Sequence, residues 1–165
     1  MWSEAWPSRE LSNAKRALDS TRTLVEQPTG EQPDEVTRAL SRYLTVRACG
    51  YLETVVDQCC GALLSSKSAP RAAAFGQSWL GTGRNPSPGK LCDLVGRFDR
   101  SWADDLRRLL EENDERLRRE LSFMVDRRNK IAHGASEGLT SRRALNLVDC
   151  ANEVASWFIA TFDPR

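Results

Sequence analysis

An all-α chain, folded as an antiparallel helical bundle of about five to six helices, is what the sequence predicts. Three observations predict it. Apolar residues recur at intervals of three and four almost throughout. Valine and isoleucine are sparse, and no stretch shows period-two alternation. The pattern breaks where proline and glycine cluster, and helix-starting residues follow those breaks. With 165 residues and a hydrophobic fraction of 40%, the chain has the material for one core, so residues 1–165 read as one domain.

The first helix is expected over 8–26, with Leu11, Ala14, Leu18, Thr21 and Val25 on its buried face. Pro28, Gly30 and Pro33 end it. Asp34 is expected to cap a long second helix over 35–64. Its apolar stripe reads Val36, Leu40, Tyr43, Leu44, Ala48, Tyr51, Leu52, Val55, Val56 and Cys59. Core packing is therefore expected for Tyr43 and Tyr51. Gly50 and Gly61 interrupt the stripe at about 1 kcal/mol each relative to Ala, and a close helix–helix approach would explain them. A short helix follows over 70–80, then a loop over 84–89, then helical stretches over 90–98 and 101–110. The next helix is expected over 113–133, with Asn113 as cap, acidic residues in its first turn and Gly134 as its stop. The last runs over about 140–162, burying Ala144, Leu147, Val148, Ala151, Val154, Ala155 and Phe158.

Composition narrows the function classes. The net charge is +1, so no strong basic balance points to nucleic acid. The 24 basic residues comprise four lysines and 20 arginines, and arginine holds phosphate or carboxylate in a fork that lysine lacks. A GC-rich source accounts for the same bias. Five cysteines form no CxxC pair, and the chain has one histidine, so neither a disulfide framework nor a zinc site is expected. No metal and no other cofactor is expected. No apolar run approaches ~20 residues and no signal peptide opens the chain, so a cytoplasmic protein without membrane contact is expected.

The helix over 113–133 carries the chemistry. Its stripe is Leu117, Leu121, Met124 and Val125, and the same spacing leads on to positions 128, 129, 132 and 133. Those positions hold Arg128, Asn129, Ala132 and His133. Three polar residues thus end a face that began as core, and burying them unpaired is costly. They must face a cleft or a partner. Asn129 and His133 are one turn apart on one side of the helix, while Arg128 lies about 100° from Asn129. A histidine that titrates near neutrality can move a proton, and an arginine can hold and neutralise a phosphate. That set suits phosphodiester cleavage without a metal, with the RNA 2′-OH as nucleophile. A surface helix end with a capping histidine is the competing reading.

The segment Met124-Val125-Asp126-Arg127-Arg128-Asn129-Lys130-Ile131-Ala132-His133-Gly134 resembles the HEPN signature of an arginine, a polar residue behind it and a histidine a few residues on. Leu44 to Glu53 resembles the second-helix segment of the RiboL-PSP-HEPN branch. Asn85-Pro86 followed by Gly89-Lys90-Leu91 and Leu94 to Phe98 resembles its middle region. The likeness covers roughly residues 35–162.

The resemblance implies a small helical bundle that dimerises and joins two motifs in one cleft. It implies a toxin or phage-defence RNase that cleaves single-stranded RNA without metal, leaving a 2′,3′-cyclic phosphate. An inactive HEPN module that binds RNA or a partner protein is the alternative. By position, Arg128 would bind the phosphate, Asn129 orient it and His133 act as acid–base group. The expected partners are RNA, a second copy of the chain and an antitoxin or regulatory protein.

Arg127, Lys130 and Arg47 are weaker RNA-contact candidates, with solvated charges as the plainer reading. Glu53 is a candidate for tuning His133 or pairing with Arg128, with a bundle salt bridge as the plainer reading. Trp2 and Trp6 are expected to cover a core edge or an interface.

Overall fold

The computed structural model describes residues 5–27, 33–81, 85–134 and 138–165. Trp2, Pro28, Gly30 and Arg84 lie outside the described residues. Six helices and no strand are found among them: α1 (Arg9–Glu26), α2 (Asp34–Lys67), α3 (Pro70–Gln77), α4 (Pro88–Gly96), α5 (Arg100–Ala132) and α6 (Ser141–Thr161). None is long and apolar enough to cross a membrane.

The helix starts follow capping chemistry. The Ser8 hydroxyl accepts from the Leu11 N–H at 3.2 Å, and Thr140 accepts from the Arg143 N–H at 3.2 Å. Asp99 caps α5 by accepting from the Ser101 N–H at 2.7 Å. Pro33 holds the cap position of α2, and Asp34, expected there, is its first helical residue. Pro70 and Pro88 open α3 and α4, where the missing N–H forfeits no helical bond.

α2 is the central element. It packs against α1, α3, α5 and α6, while α4 lies on α5. The core joins Leu44, Leu52 and Val55 of α2 to Leu106, Leu117 and Met124 of α5 and to Leu147, Val154 and Phe158 of α6. Phe162 then gathers an aromatic cluster, with ring centroids 5.3 Å from Phe98, 5.1 Å from Trp102 and 5.4 Å from Phe158. Trp6 covers a core edge, donating from Nε1 to the Ile159 carbonyl at 2.9 Å.

Four expectations are corrected. Tyr43 is 52% exposed and Val36 43% exposed, although both continue the α2 stripe. The face that is buried runs through Ser41, Leu44, Thr45 and Ala48, and Val36 and Tyr43 lie off it. Gly50 does not mark a close helix approach, because a Cβ placed there meets nothing within 4 Å. The break in α5 comes at the expected place but not through an Asn113 cap. Asn113, Asp114 and Glu115 are left-handed, with φ of 52°, 58° and 55°. Asn and Asp tolerate that region better than other side chains. Arg118 and Arg119 straddle the break, pairing with Glu111 at 2.9 Å and Asp114 at 3.2 Å.

The end of α5 is as expected. His133 is the C-cap and Gly134 follows at φ +78°, its N–H donating to the Ile131 carbonyl at 3.0 Å. A residue with a Cβ is strained in that region, which glycine enters freely.

Candidate functional site

The buried stripe of α5 emerges from the core at its last two turns. Met124 and Val125 are buried, Arg128 and Asn129 half-buried, and Ala132 and His133 exposed. The helix runs antiparallel to α2 here, so Arg128 meets Glu53 while Gly134 lies beside Ala39 and Arg42.

Arg128 is held from two sides. Its Nη1 donates to the Asn129 Oδ1 at 3.3 Å, and its Nη2 stands 3.7 Å from the Glu53 Oε1. Both separations exceed the ~2.7–2.9 Å of a tight charge-assisted bond. The Arg128 side chain is 36% exposed, so this pair stabilises the fold by at most about 1 kcal/mol. Arg128 is therefore oriented but not locked, and a phosphate offering two oxygens can compete for it.

Glu53 is the more buried partner, with a side chain 19% exposed. Burial raises its pKa above the ordinary carboxylate value, the Arg128 charge opposes that rise, Asp57 adds to it, and the hydrogen bond from Cys49 opposes it. Cys49 donates from Sγ to the Glu53 Oε1 at 3.9 Å. Burial first, then the Glu53 charge, push that thiol up to about 12, which leaves no thiolate for nucleophilic chemistry at neutral pH. The Asn85-Pro86 segment reaches the same carboxylate. With Lys90, Leu91 and Leu94 it encloses, against Glu53 and Asp57, a void of about 20 Å³.

A raised carboxyl pKa has a signed consequence for stability. The contribution of Glu53 is fully present below the unfolded pKa and is lost as pH rises through the folded one. Glu53→Gln has no such loss. Relative to wild type, its melting temperature is expected to be higher at neutral pH than at acidic pH, and paired thermal melts check this. A difference independent of pH would contradict the burial of that charge.

His133 closes the helix, its N–H donating to the Asn129 carbonyl at 3.1 Å. The imidazole is exposed and makes no hydrogen bond to a described residue. Arg128, Asn129 and His133 thus share the open end of α5. Glu53 joins them through Arg128, and among the described residues it makes no hydrogen bond or ion pair with His133.

The remaining candidates lie elsewhere. Arg127 stacks on the Phe123 ring, 4.6 Å from guanidinium carbon to centroid, and Arg143 of α6 approaches the same ring at 4.4 Å. That places Arg127 on the α6 flank and Arg128 on the α2 flank. Lys130 pairs with Asp126 at 3.1 Å. Arg47 lines a groove toward α1 with Ala14, Leu18 and Gly50, apart from the motif. Sequence reasoning passed over Cys49, although its spacing of four from Glu53 puts both on one side of α2. Among the described residues no three His, Cys, Asp or Glu side chains cluster as a metal site would require.

One family profile matches most of the chain. That profile, RiboL-PSP-HEPN, matches residues 5–159. This chain belongs to the RiboL-PSP-HEPN family. The match starts well before residue 35 and takes in α1. No curated protein and no solved structure matches this HEPN chain.

Proposed function

We propose that this HEPN protein is a metal-independent RNA endonuclease acting on single-stranded RNA. One observation carries the reading. A loosely held, half-exposed arginine, an amide bonded to it and an exposed histidine one turn on occupy the open end of a helix whose preceding turns are core.

The chemistry follows from those groups. Arg128 leaves Glu53 for the scissile phosphate and neutralises the charge that builds on its oxygens. Asn129 fixes the arginine. His133 takes the proton of the ribose 2′-OH, whose oxygen forms a bond to phosphorus while the bond to the 5′-oxygen breaks. The products are a 2′,3′-cyclic phosphate and, once the leaving oxygen gains a proton, a 5′-hydroxyl. One imidazole serves the first proton transfer. The same histidine of a second copy serves the second, so the active form is a homodimer with its two α5 ends in one cleft. The cellular role is that of a toxin or phage-defence effector, silenced by an antitoxin or regulatory protein.

The test is incubation of purified chain with RNA in EDTA. Wild type cleaves and His133→Ala does not; equal cleavage by both overturns the assignment. The same substitution relieves growth arrest on expression. A strictly monomeric solution mass contradicts the shared cleft. One observation favours a second reading, since Glu53 already faces Arg128. A module that grips RNA without turnover would leave bound RNA intact after long incubation.

A further inference from the structure

The turn that ends α5 and the first half of α2 enclose an open groove of about 350 Å³. Ala39, Arg42, Tyr43 and Val46 line it from α2, and Ile131 and Gly134 from the motif segment. His133 stands between those last two in sequence, so the groove adjoins the candidate catalytic end directly. Its volume falls within the ~300–1,000 Å³ usual for small-ligand sites.

Two features give the groove a chemical preference. Tyr43 presents an aromatic ring that is 52% exposed. Arg42 is half-buried beside it and makes no ion pair with a described residue. Arg38 lies one turn before Arg42, and among the described residues no carboxylate lines the groove. A ring to stack on beside unneutralised arginine suits a nucleotide: base on ring, phosphate on guanidinium.

We infer that Tyr43 and Arg42 form a nucleotide subsite that seats the RNA residue next to the scissile phosphate. This rests on the RNA-cleaving function proposed above and adds the part that grips the strand. Stacking on an aromatic side chain tolerates any base, so the subsite supplies affinity for unpaired RNA with little sequence preference. A base held in a duplex has no free face to offer the ring, which restricts the subsite to single strands.

The experiment measures binding of a fluorescein-labelled single-stranded RNA to the full chain carrying His133→Ala, by anisotropy, and KM for its cleavage by the chain with His133 intact. Tyr43→Ala is expected to raise both constants about tenfold. Tyr43→Phe keeps the ring and is expected to behave as wild type. Tyr43→Leu keeps apolar surface without a ring and is expected to follow Tyr43→Ala. Far-ultraviolet circular dichroism and solution mass of each variant accompany the titrations. Unchanged Kd and KM for Tyr43→Ala, with His133→Ala still abolishing cleavage, would overturn the subsite alone. Equal Tyr43→Leu and wild-type constants would assign the ring to plain apolar packing. A loss of dimer mass in Tyr43→Ala would give the groove to a second copy. A chain that neither binds nor cuts RNA overturns the function and the subsite together.

Discussion

His133→Ala is expected to lower the rate of RNA cleavage by about 10²–10⁴-fold while leaving the fold intact. The magnitude is what a positioned acid–base group contributes to such a step. Two structural facts make the variant clean. The imidazole is exposed and bonds to no described residue, so its loss opens no cavity and strands no partner. The C-cap function of position 133 resides in its backbone N–H, which alanine keeps. RNA binding should survive, because Arg128 and Asn129 are untouched. The check is a pair of measurements, single-turnover cleavage and RNA anisotropy, on wild type and variant. A parallel fall in binding would show that His133 holds the strand rather than moving a proton.

The largest expected effect on stability comes from Phe158→Ala. Phe158 is 0% exposed, stacks on Phe162 at 5.4 Å with the rings 25° apart, and meets Trp157 edge-on at 5.1 Å. Truncation removes the ring from water-free packing and leaves a cavity that the surrounding rings refill only in part. Such changes cost about 3–5 kcal/mol, against a total stability of ~5–15 kcal/mol for an ordinary domain. For a chain of this size that corresponds to a fall in melting temperature of about 6–20 °C. Urea and thermal unfolding of wild type and variant measure it. Phe158 makes no contact with the end of α5, so cleavage well below the melting temperature should be unchanged.

The fold was legible where helical periodicity alone decides burial. All seven expected core positions of α6 are buried, as are Leu117, Leu121, Met124 and Val125 of α5. Gly134 was legible as the stop of α5 because a C′ glycine answers a local backbone need. On α2 the apolar residues spread over more than one face, so periodicity alone left the phase of the buried one open. Tyr43 and Val36 therefore looked like core and are exposed. The left-handed run at Asn113 to Glu115 was legible only as a break, since cap and kink favour the same residues.

At the candidate site, the placement of Arg128, Asn129 and His133 at the mouth of the stripe followed from spacing. Spacing offered Glu53 only as one candidate partner of Arg128, beside the reading of a bundle salt bridge. Glu53 is far from Arg128 along the chain, and only the antiparallel packing of α2 on α5 brings the two together. The groove beside Tyr43 was hidden for the same reason, being built from both helices.

The proposal stands or falls most directly on the ends of the RNA fragments. Single-stranded RNA incubated with the wild-type chain in EDTA is to be resolved by mass spectrometry. Fragments ending in a 2′,3′-cyclic phosphate, each paired with a 5′-hydroxyl, are the expected result. Intact RNA, or fragments with 3′-hydroxyl ends, would contradict attack by the 2′-oxygen at a site made of Arg128, Asn129 and His133.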